Sequence, residues 1–310
     1  MSSNKSSNKS SFGFIIDPFA GLNPKKDSSL AMMRAVLDMG GQVFVAQMHD
    51  LSIDGDVSGR FQPVGKDMTA GAAEVIKLAD LDGVFMRKDP PIDDAYYACT
   101  QILSVAQAQG AKIYNDPQVL RDESEKLFAL HFPELIPETI VSAQHNILRD
   151  FVDQHGTAIF KPLNVMGGAG IFLIEKADMN FDVIWETLTH YGKQPIMAQR
   201  FLPAINEGDK RVIIFNGAVV DHVLVRTPKA GAVRGNMAAG GTTHIAKIND
   251  HDRKVAEVVA KAMVEKGVSF AGIDIIGDKL IEVNHTCPTG IVQISDYLGR
   301  NIAEDYIKGL

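Results

Sequence analysis

The run Phe270-Ala-Gly-Ile-Asp-Ile-Ile-Gly-Asp-Lys-Leu-Ile-Glu-Val-Asn-His-Thr-Cys287 decides how the rest of the chain is read. Its pattern predicts two strands, Ala271–Ile276 and Leu280–Asn284, joined by a turn at Gly277-Asp278-Lys279. Side chains two apart on a strand share a face, so Glu282 and Asn284 point one way, Ile281 and Val283 the other. A three-residue turn pairs Ile276 with Leu280 and sets Asp274 opposite Glu282 on the polar face. A two-residue turn would put Asp274 opposite Ile281 and remove it from that face. Two carboxylates about 5 Å apart, at an effective dielectric of about 20, repel by roughly 3 kcal/mol. A proton on one of them or a cation between them relieves this. The amide oxygen of Asn284 on the same face favours the cation, and an oxygen-only set suits Mg2+ shared with phosphates rather than zinc. A half-exposed hairpin carrying solvated acids is the plainer alternative.

Working outward, 310 residues suffice for two or three compact units with a sizeable core. A hydrophobic share of 45% and a charged share of 22% are those of an ordinary soluble globular chain. The net charge of −7 offers no basic face to a phosphate backbone, so nucleic acid is not expected as a partner. Cys99 and Cys287 are too few and too distant for a disulfide framework or a zinc site, which fits a reducing cytoplasm. Residues 1–11 are polar and of low complexity, read as a disordered tail and not a signal peptide. No apolar run approaches the roughly 18 residues of a membrane span.

Residues 12–122 alternate short apolar strands with amphipathic helices, which predicts a layered domain on a parallel sheet. Strands are expected at Phe12–Ile16, Gln42–Ala46, Gly83–Met86 and Lys112–Tyr114, with a polar, glycine-containing stretch between the second and third. Ligands of such sheets bind beyond the carboxyl ends of the strands, where the loops Asn23–Ser29 and Arg87–Pro91 sit. No Gly-x-Gly-x-x-Gly follows the first strand, so a dinucleotide site has no support. From Asp116 the character changes. Helices are expected at Pro117–Arg121 and at Glu123–His131, the latter carrying Lys126. The strand Thr157–Phe160 ends in Lys161-Pro162 and leads into Leu163-Asn-Val-Met-Gly-Gly-Ala-Gly170. A glycine cluster between two strands makes a flap whose N–H groups can close over phosphate oxygens. It lacks the Gly-Lys-Ser/Thr of a P-loop. Thr227–Gly241 is glycine-rich and without apolar periodicity, a length of loop that is functional or disordered in compact domains.

Taken together the chain resembles the bacterial glutathione synthetase family of ATP-grasp ligases, from Phe12 to about Tyr306. The runs that carry the resemblance are Lys25-Lys-Asp-Ser-Ser29, Met86-Arg-Lys-Asp-Pro-Pro91, Glu125-Lys-Leu-Phe128, Lys161-Pro, Met166-Gly-Gly-Ala169, Ala198-Gln199, Leu202-Pro-Ala204, Gly208-Asp-Lys-Arg211, Arg234-Gly-Asn-Met-Ala-Ala-Gly-Gly241, Gly272-Ile-Asp-Ile-Ile-Gly-Asp278 and Glu282-Val-Asn284. The implied fold is α/β: a Rossmann-like, pre-ATP-grasp domain (12–122) followed by a two-subdomain α+β ATP-grasp fold. Its lid subdomain would be 123–202, and its C-terminal subdomain 203–310 would hold the metal site and a mobile loop at 227–241. The implied reaction condenses γ-glutamylcysteine with glycine at the expense of ATP, through an acyl phosphate.

By the same resemblance Lys126 and Lys161 hold the nucleotide's phosphates under Gly167 and Gly168. Gln199, Phe201 and Leu202 take the adenine, Asp209 the ribose, and Arg200 points outward. Asp274, Glu282 and Asn284 are the metal ligands, for Mg2+ or Mn2+. Arg211 and Arg226, with Lys161, serve the transferred phosphoryl group and the substrate carboxylates. Arg87, Gly241, Cys287 and Thr289 are the further substrate contacts. The family implies a cytoplasmic homotetramer. No general base stands out for the ammonium of glycine.

This sequence departs from the family where Cys287 replaces a serine and Gly290 a cysteine, which leaves room for another small amine. A related ATP-grasp ligase is therefore a second reading. An ATP-binding regulatory protein without ligation, as in synapsins, is a third; the retained arginines and metal triad argue against it. Cys287 is not expected as a nucleophile, since no step needs one.

Overall fold

A computed structural model describes residues 9–229 and 241–310. Most of the sequence-predicted tail and of the loop 227–241 therefore lies outside the described residues. In chain order the elements begin with β1 (Ser11–Ile15), α1 (Ser28–Asp38), β2 (Gln42–Ala46), β3 (Leu51–Asp54), β4 (Asp56–Val64), β5 (Glu74–Lys77), β6 (Gly83–Met86), α2 (Asp94–Ala108), β7 (Ile113–Tyr114) and α3 (Pro117–Asp122). Next come β8 (Thr139–Ser142), α4 (His145–His155), β9 (Thr157–Pro162), β10 (Phe172–Glu175), α5 (Phe181–Thr189), β11 (Ile196–Arg200), β12 (Asp209–Phe215) and β13 (Ala218–Thr227). The chain closes with β14 (Thr242–Lys247), α6 (Asp250–Glu265), β15 (Phe270–Ile276), β16 (Lys279–Asn284), α7 (Ile291–Leu298) and α8 (Ala303–Lys308). Two compact units result. One comprises the chain up to Asp122 with Met263–Phe270 and His285–Leu310; the other comprises Glu123–Ala262 and Ala271–Asn284.

In the first unit the strands run β3-β4-β2-β1-β6-β7, with β5 beside β4. The neighbours β2, β1, β6 and β7 are parallel, as the crossovers through α1 and α2 require. Beyond β2 the sheet turns antiparallel, so it is mixed where the sequence predicted a parallel sheet. The added strands come from the stretch read as polar and irregular. In β4 the inward places fall to Val57, Gly59 and Phe61, and the glycine blurs an otherwise clear alternation. The strand β1 starts at Ser11, whose N–H and hydroxyl bond Asp82, so order begins inside the segment read as tail.

Aromatic rings fill the centre of this unit. Phe85 stacks on Phe14 at 4.7 Å and on Tyr114 at 5.3 Å, and Tyr306 of α8 joins it at 5.9 Å. Burial of Tyr306 explains a difference from the sequence reading, which grouped 285–310 with the C-terminal subdomain. Asp27 caps α1 through the N–H groups of Ser29 and Leu30, and Asp93 caps α2 through that of Tyr96.

The second unit holds an antiparallel sheet β10-β9-β11-β8 and a sheet β14-β13-β12-β15-β16. Leu148 and Val152 of α4 and Phe181 of α5 pack with Phe160 and Ile196 on the first of these. The strand β14 was not anticipated, because its side chains are largely exposed and carry little apolar pattern. Residues 123–131 form no α-helix: Lys126 lies in a turn, followed by a short 3-10 segment at Phe128–His131. The Glu125 carbonyl accepts the N–H of Val283 at 3.1 Å, and that of Leu135 accepts the N–H of Leu280 at 2.8 Å. Segment 125–135 is thereby used to cover the outer edge of β16.

The hairpin β15–β16 corrects the predicted turn. Ile276 pairs with Lys279, so the turn has two residues, Gly277 and Asp278, with Gly277 at φ +59°. The register then shifts: Ile275 faces Leu280 while Asp274 faces Glu282, leaving Ile281 without a cross-strand partner. A bulge thus restores the pairing that a plain two-residue turn would have destroyed.

Candidate active site

The polar face of β15–β16 gathers the charges of the second unit. Asp274 lies across from Glu282, and the amide of Asn284 donates to Asp274 Oδ2 at 3.2 Å. Asp274 is buried, and two arginines from the neighbouring strands β12 and β13 answer its charge. Arg211 grips it with Nε to Oδ1 at 2.5 Å and Nη2 to Oδ2 at 2.9 Å, the bidentate fork that suits a carboxylate. Arg226 Nη2 lies 2.9 Å from Asp274 Oδ1 and also donates to Asp209, its register partner across β12–β13. Burial alone would raise the Asp274 pKa, but Arg211 and then Arg226 outweigh it and hold the carboxyl well below the usual range. Asp209 goes the other way: burial, with Asp274 nearby, pushes it up to about 6 against the pull of Arg226. Burial disfavours the charged form of Arg226 too, yet Asp209 and Asp274 leave its pKa raised.

The two lysines approach from the other sheet and its leading turn. Lys126 Nζ sits 3.3 Å from Glu282 Oε1 and donates to the carbonyl of Val165 at 2.6 Å. One ammonium therefore joins the carboxylate pair to the glycine flap between β9 and β10. Gly167 and Gly168 in that flap adopt φ of +68° and +75°, which side chains resist. Lys161, near the end of β9, donates to Gln199 Oε1 on β11, and Gln199 passes its own amide hydrogen to Thr139. Burial lowers the Lys161 pKa to about 8, a shift that Glu282 opposes and Lys126 reinforces. Phe201 and Leu202 follow half-buried, and Arg200 turns to the surface to pair with Glu138.

Arg87, Cys287 and Thr289 belong to the first unit. The sequence reading aimed Arg87 at the dipeptide; here its guanidinium is bound to protein. Nε donates to Ser29 Oγ at 3.2 Å, Nη1 to the Thr286 carbonyl at 3.4 Å and Nη2 to that of Pro288 at 3.0 Å, with Phe270 beneath it at 4.8 Å. Cys287 donates its thiol to the Arg87 carbonyl at 3.2 Å, and burial pushes that thiol up to about 12. At neutral pH it is a thiol, with the carboxylates of Asp89 and Asp27 nearby adding to the upward shift that burial begins. Gly241 precedes β14 and Thr289 is half-buried. Sequence reasoning passed over Asn115. Its amide donates to the carbonyls of Phe270 and His285, and its oxygen accepts from Ser269 and the Phe270 N–H. A lone asparagine after a two-residue strand carries no signal of such a role.

The donor set fits a hard divalent cation. Among the described residues no three His, Cys, Asp or Glu side chains gather in one metal-holding group. The oxygens here come from two carboxylates and one amide, with arginines and a lysine supplying positive charge meanwhile. Asp209 Oδ1 is buried and has no hydrogen-bond partner among the described residues, so a donor from a ligand would satisfy it.

Residues 11–121 match the family described as prokaryotic glutathione synthetase, N-terminal domain, and residues 125–299 match its ATP-grasp domain. A glutathione synthetase of Nitrosomonas europaea is 43% identical over 307 residues, covering 96% of this chain and 96% of that one. One from Vibrio parahaemolyticus is 44% identical over 289 residues, covering 91% and 92%. Among solved structures, D-cycloserine synthetase DcsG superposes with a TM-score of 0.69 at 11% identity, covering 96% of this chain and 97% of that one. The ATP-grasp ligase PsnB, complexed with its minimal precursor, reaches 0.66 at 16% identity, covering 97% and 98%. These distant likenesses establish the fold.

Proposed function

The chain belongs to the prokaryotic glutathione synthetase family, and from that premise we infer that it is an ATP-dependent carbon–nitrogen ligase that makes glutathione from γ-glutamylcysteine and glycine. The observation that carries the reading is 43% identity to a glutathione synthetase over 96% of the chain, coinciding with one charged cluster that holds Lys126, Lys161, Arg211, Arg226, Asp274, Glu282 and Asn284.

The chemistry divides into two transfers. The dipeptide's terminal carboxylate attacks the γ-phosphorus of ATP; ADP leaves and an acyl phosphate forms. The glycine amine then attacks the acyl carbon, the C–O bond to phosphate breaks, and the amine gives up a proton. Lys126 and Lys161 take the nucleotide's phosphates, where a point charge on a flexible stem follows a moving phosphoryl group. The N–H groups of Gly167 and Gly168 close over the same oxygens. Gln199, Phe201 and Leu202 border the adenine, and the unsatisfied Asp209 Oδ1 suits a ribose hydroxyl. Arg211 and Arg226 exchange Asp274 and Asp209 for the transferred phosphoryl group and the substrate carboxylate. Asp274, Glu282 and Asn284 would hold Mg2+ or Mn2+, which neutralises phosphate charge so that an anionic nucleophile can approach. Within the first unit Thr289 and Cys287 are the proposed substrate contacts, and Arg87 acts by fixing the backbone of Thr286 and Pro288 that flanks Cys287. Gly241 is a proposed contact from the second unit.

The cytoplasm is proposed as its compartment, which the two unbridged cysteines support, and a homotetramer as its assembly by family resemblance. Among the described residues no helix is long and apolar enough to cross a membrane. A product assay by mass spectrometry, with ATP, γ-glutamylcysteine and a panel of small amines, tests the whole reading. Glutathione and ADP formed only when dipeptide and glycine are both present is the expected result. ADP release with another amine would move the acceptor, and nucleotide binding without turnover would overturn the ligase.

A further inference from the structure

We propose that Lys210, Asp252 and His251 are positioning residues that fix the tip of the β15–β16 hairpin and thereby the geometry of its oxygen ligands. The proposal rests on the reading of Asp274, Glu282 and Asn284 as ligands of a divalent cation.

Side chains alternate along β12. Asp209 and Arg211 face the charged cluster, and Lys210 between them faces α6. The Lys210 ammonium spends its three donors on Asp252 Oδ1 at 2.8 Å, Asp252 Oδ2 at 2.6 Å and the Gly277 carbonyl at 2.8 Å. Asp252 is 1% exposed and is held in turn: Asn249 donates to its carboxylate at 2.8 Å, and its own N–H donates to the Asn249 side chain at 2.8 Å. His251 Nε2 donates to the Asp278 carbonyl at 3.0 Å. Both carbonyls of the two-residue turn are therefore gripped from β12 and the first turn of α6.

Such a grip is an expensive way to obtain stability alone. Burying the Lys210–Asp252 pair costs desolvation, and a well-packed apolar pair often stabilises as well or better. A directional network supplies something an apolar contact does not, a fixed place for the Gly277 oxygen. That place matters because this hairpin has two solutions. With a two-residue turn Ile281 bulges and Leu280 faces inward; with a three-residue turn the ladder is regular and Ile281 takes the inward place. Both set Asp274 opposite Glu282, but the bulge changes the bend and twist of β16 directly before Glu282 and Asn284. Gripping Gly277 and Asp278 selects the bulged form.

Mn2+ binding in the presence of ADP, followed by electron paramagnetic resonance on the full chain, tests this. Lys210→Met is expected to weaken Mn2+ binding roughly 10-fold, as loss of an outer-shell support does. His251→Ala, a milder change at an exposed site, shifts it in the same direction and stands in if Lys210→Met does not fold. Val259→Ala on the buried face of α6 is the stability control, expected to lower Tm while binding Mn2+ like the parent. Parental affinity in both hairpin-tip variants, or an equal loss in Val259→Ala, would overturn the positioning role. If the parent protein itself takes up no Mn2+ with ADP, the ligand assignment fails first and the proposal falls with it.

Discussion

Leu280 and Val283 are both fully buried although they lie three residues apart on one strand. A regular strand puts such residues on opposite faces. The bulge at Ile281 absorbs the odd residue, so that Glu282 and Asn284 keep the polar face while Leu280 and Val283 share the core. Urea denaturation can read this directly. Leu280→Ala is expected to cost about 2–5 kcal/mol, the range for a buried leucine, and Ile281→Ala about 1 kcal/mol or less. The reverse order, a larger cost at Ile281 than at Leu280, would mean that the ladder is regular.

Glu282→Ala removes one of two facing carboxylates and the one that lies 3.3 Å from the Lys126 ammonium. Ligation measured by ADP release should fall by more than roughly 100-fold, given the several kcal/mol that charge neutralisation contributes at a phosphoryl-transfer site. The circular-dichroism spectrum should be that of the parent. Appreciable turnover would remove Glu282 from the site.

Arg87→Ala separates a substrate contact from a structural one. Truncation removes a charged donor from the Thr286 and Pro288 carbonyls, at about 1–3 kcal/mol for a buried hydrogen bond lost to a charged group. A fall in unfolding free energy is therefore expected together with a rise in KM for the dipeptide. A raised KM at parental stability would show that the guanidinium works on the ligand alone.

Lys161 predicts a proton linkage. With its pKa lowered to about 8 by burial, the unliganded enzyme at pH 8 holds a part-neutral lysine. Phosphates placed beside it favour the charged form and raise that pKa, so Lys161 itself takes up about half a proton on binding near pH 8. Calorimetry of ATP-analogue binding in buffers of different ionisation enthalpy measures the uptake. Its survival in Lys161→Met would assign the proton elsewhere.

The thiols of Cys99 and Cys287 are both pushed up to about 12 by burial. Since the thiolate is the reactive form, both should resist alkylation in the native protein at pH 7.5 and react fully once it is unfolded in denaturant. Rapid modification of either thiol in the folded state would contradict that environment.

Local pattern carried much of this molecule. Alternating residues in Phe270–Asn284 were enough to place two carboxylates and an amide on one face. The glycines at 167, 168 and 170 marked a flap, and order-preserving runs from Lys25 to Asn284 marked a family. Other features were silent for physical reasons. Gly59 hid the alternation of β4, and exposed β14 had little apolar pattern to read. The carbonyl of Glu125, which a helix would have used internally, is given to β16, and nothing local to Glu123–His131 records that.

What the sequence by itself determined is therefore the inventory: which side chains can bear charge, which strands can exist, and the family they compose. Tertiary structure decided the partners. Arg87 was legible as a basic residue after a strand, but only folding brings Ser29, Thr286 and Pro288 around it. The hairpin's two-residue turn and its bulge were likewise undecided by residues 270–287, because two registers satisfy the same alternation. Contacts made from Lys210 and His251, distant in sequence, distinguish them, and a directional hydrogen bond between remote segments is information that no local periodicity contains.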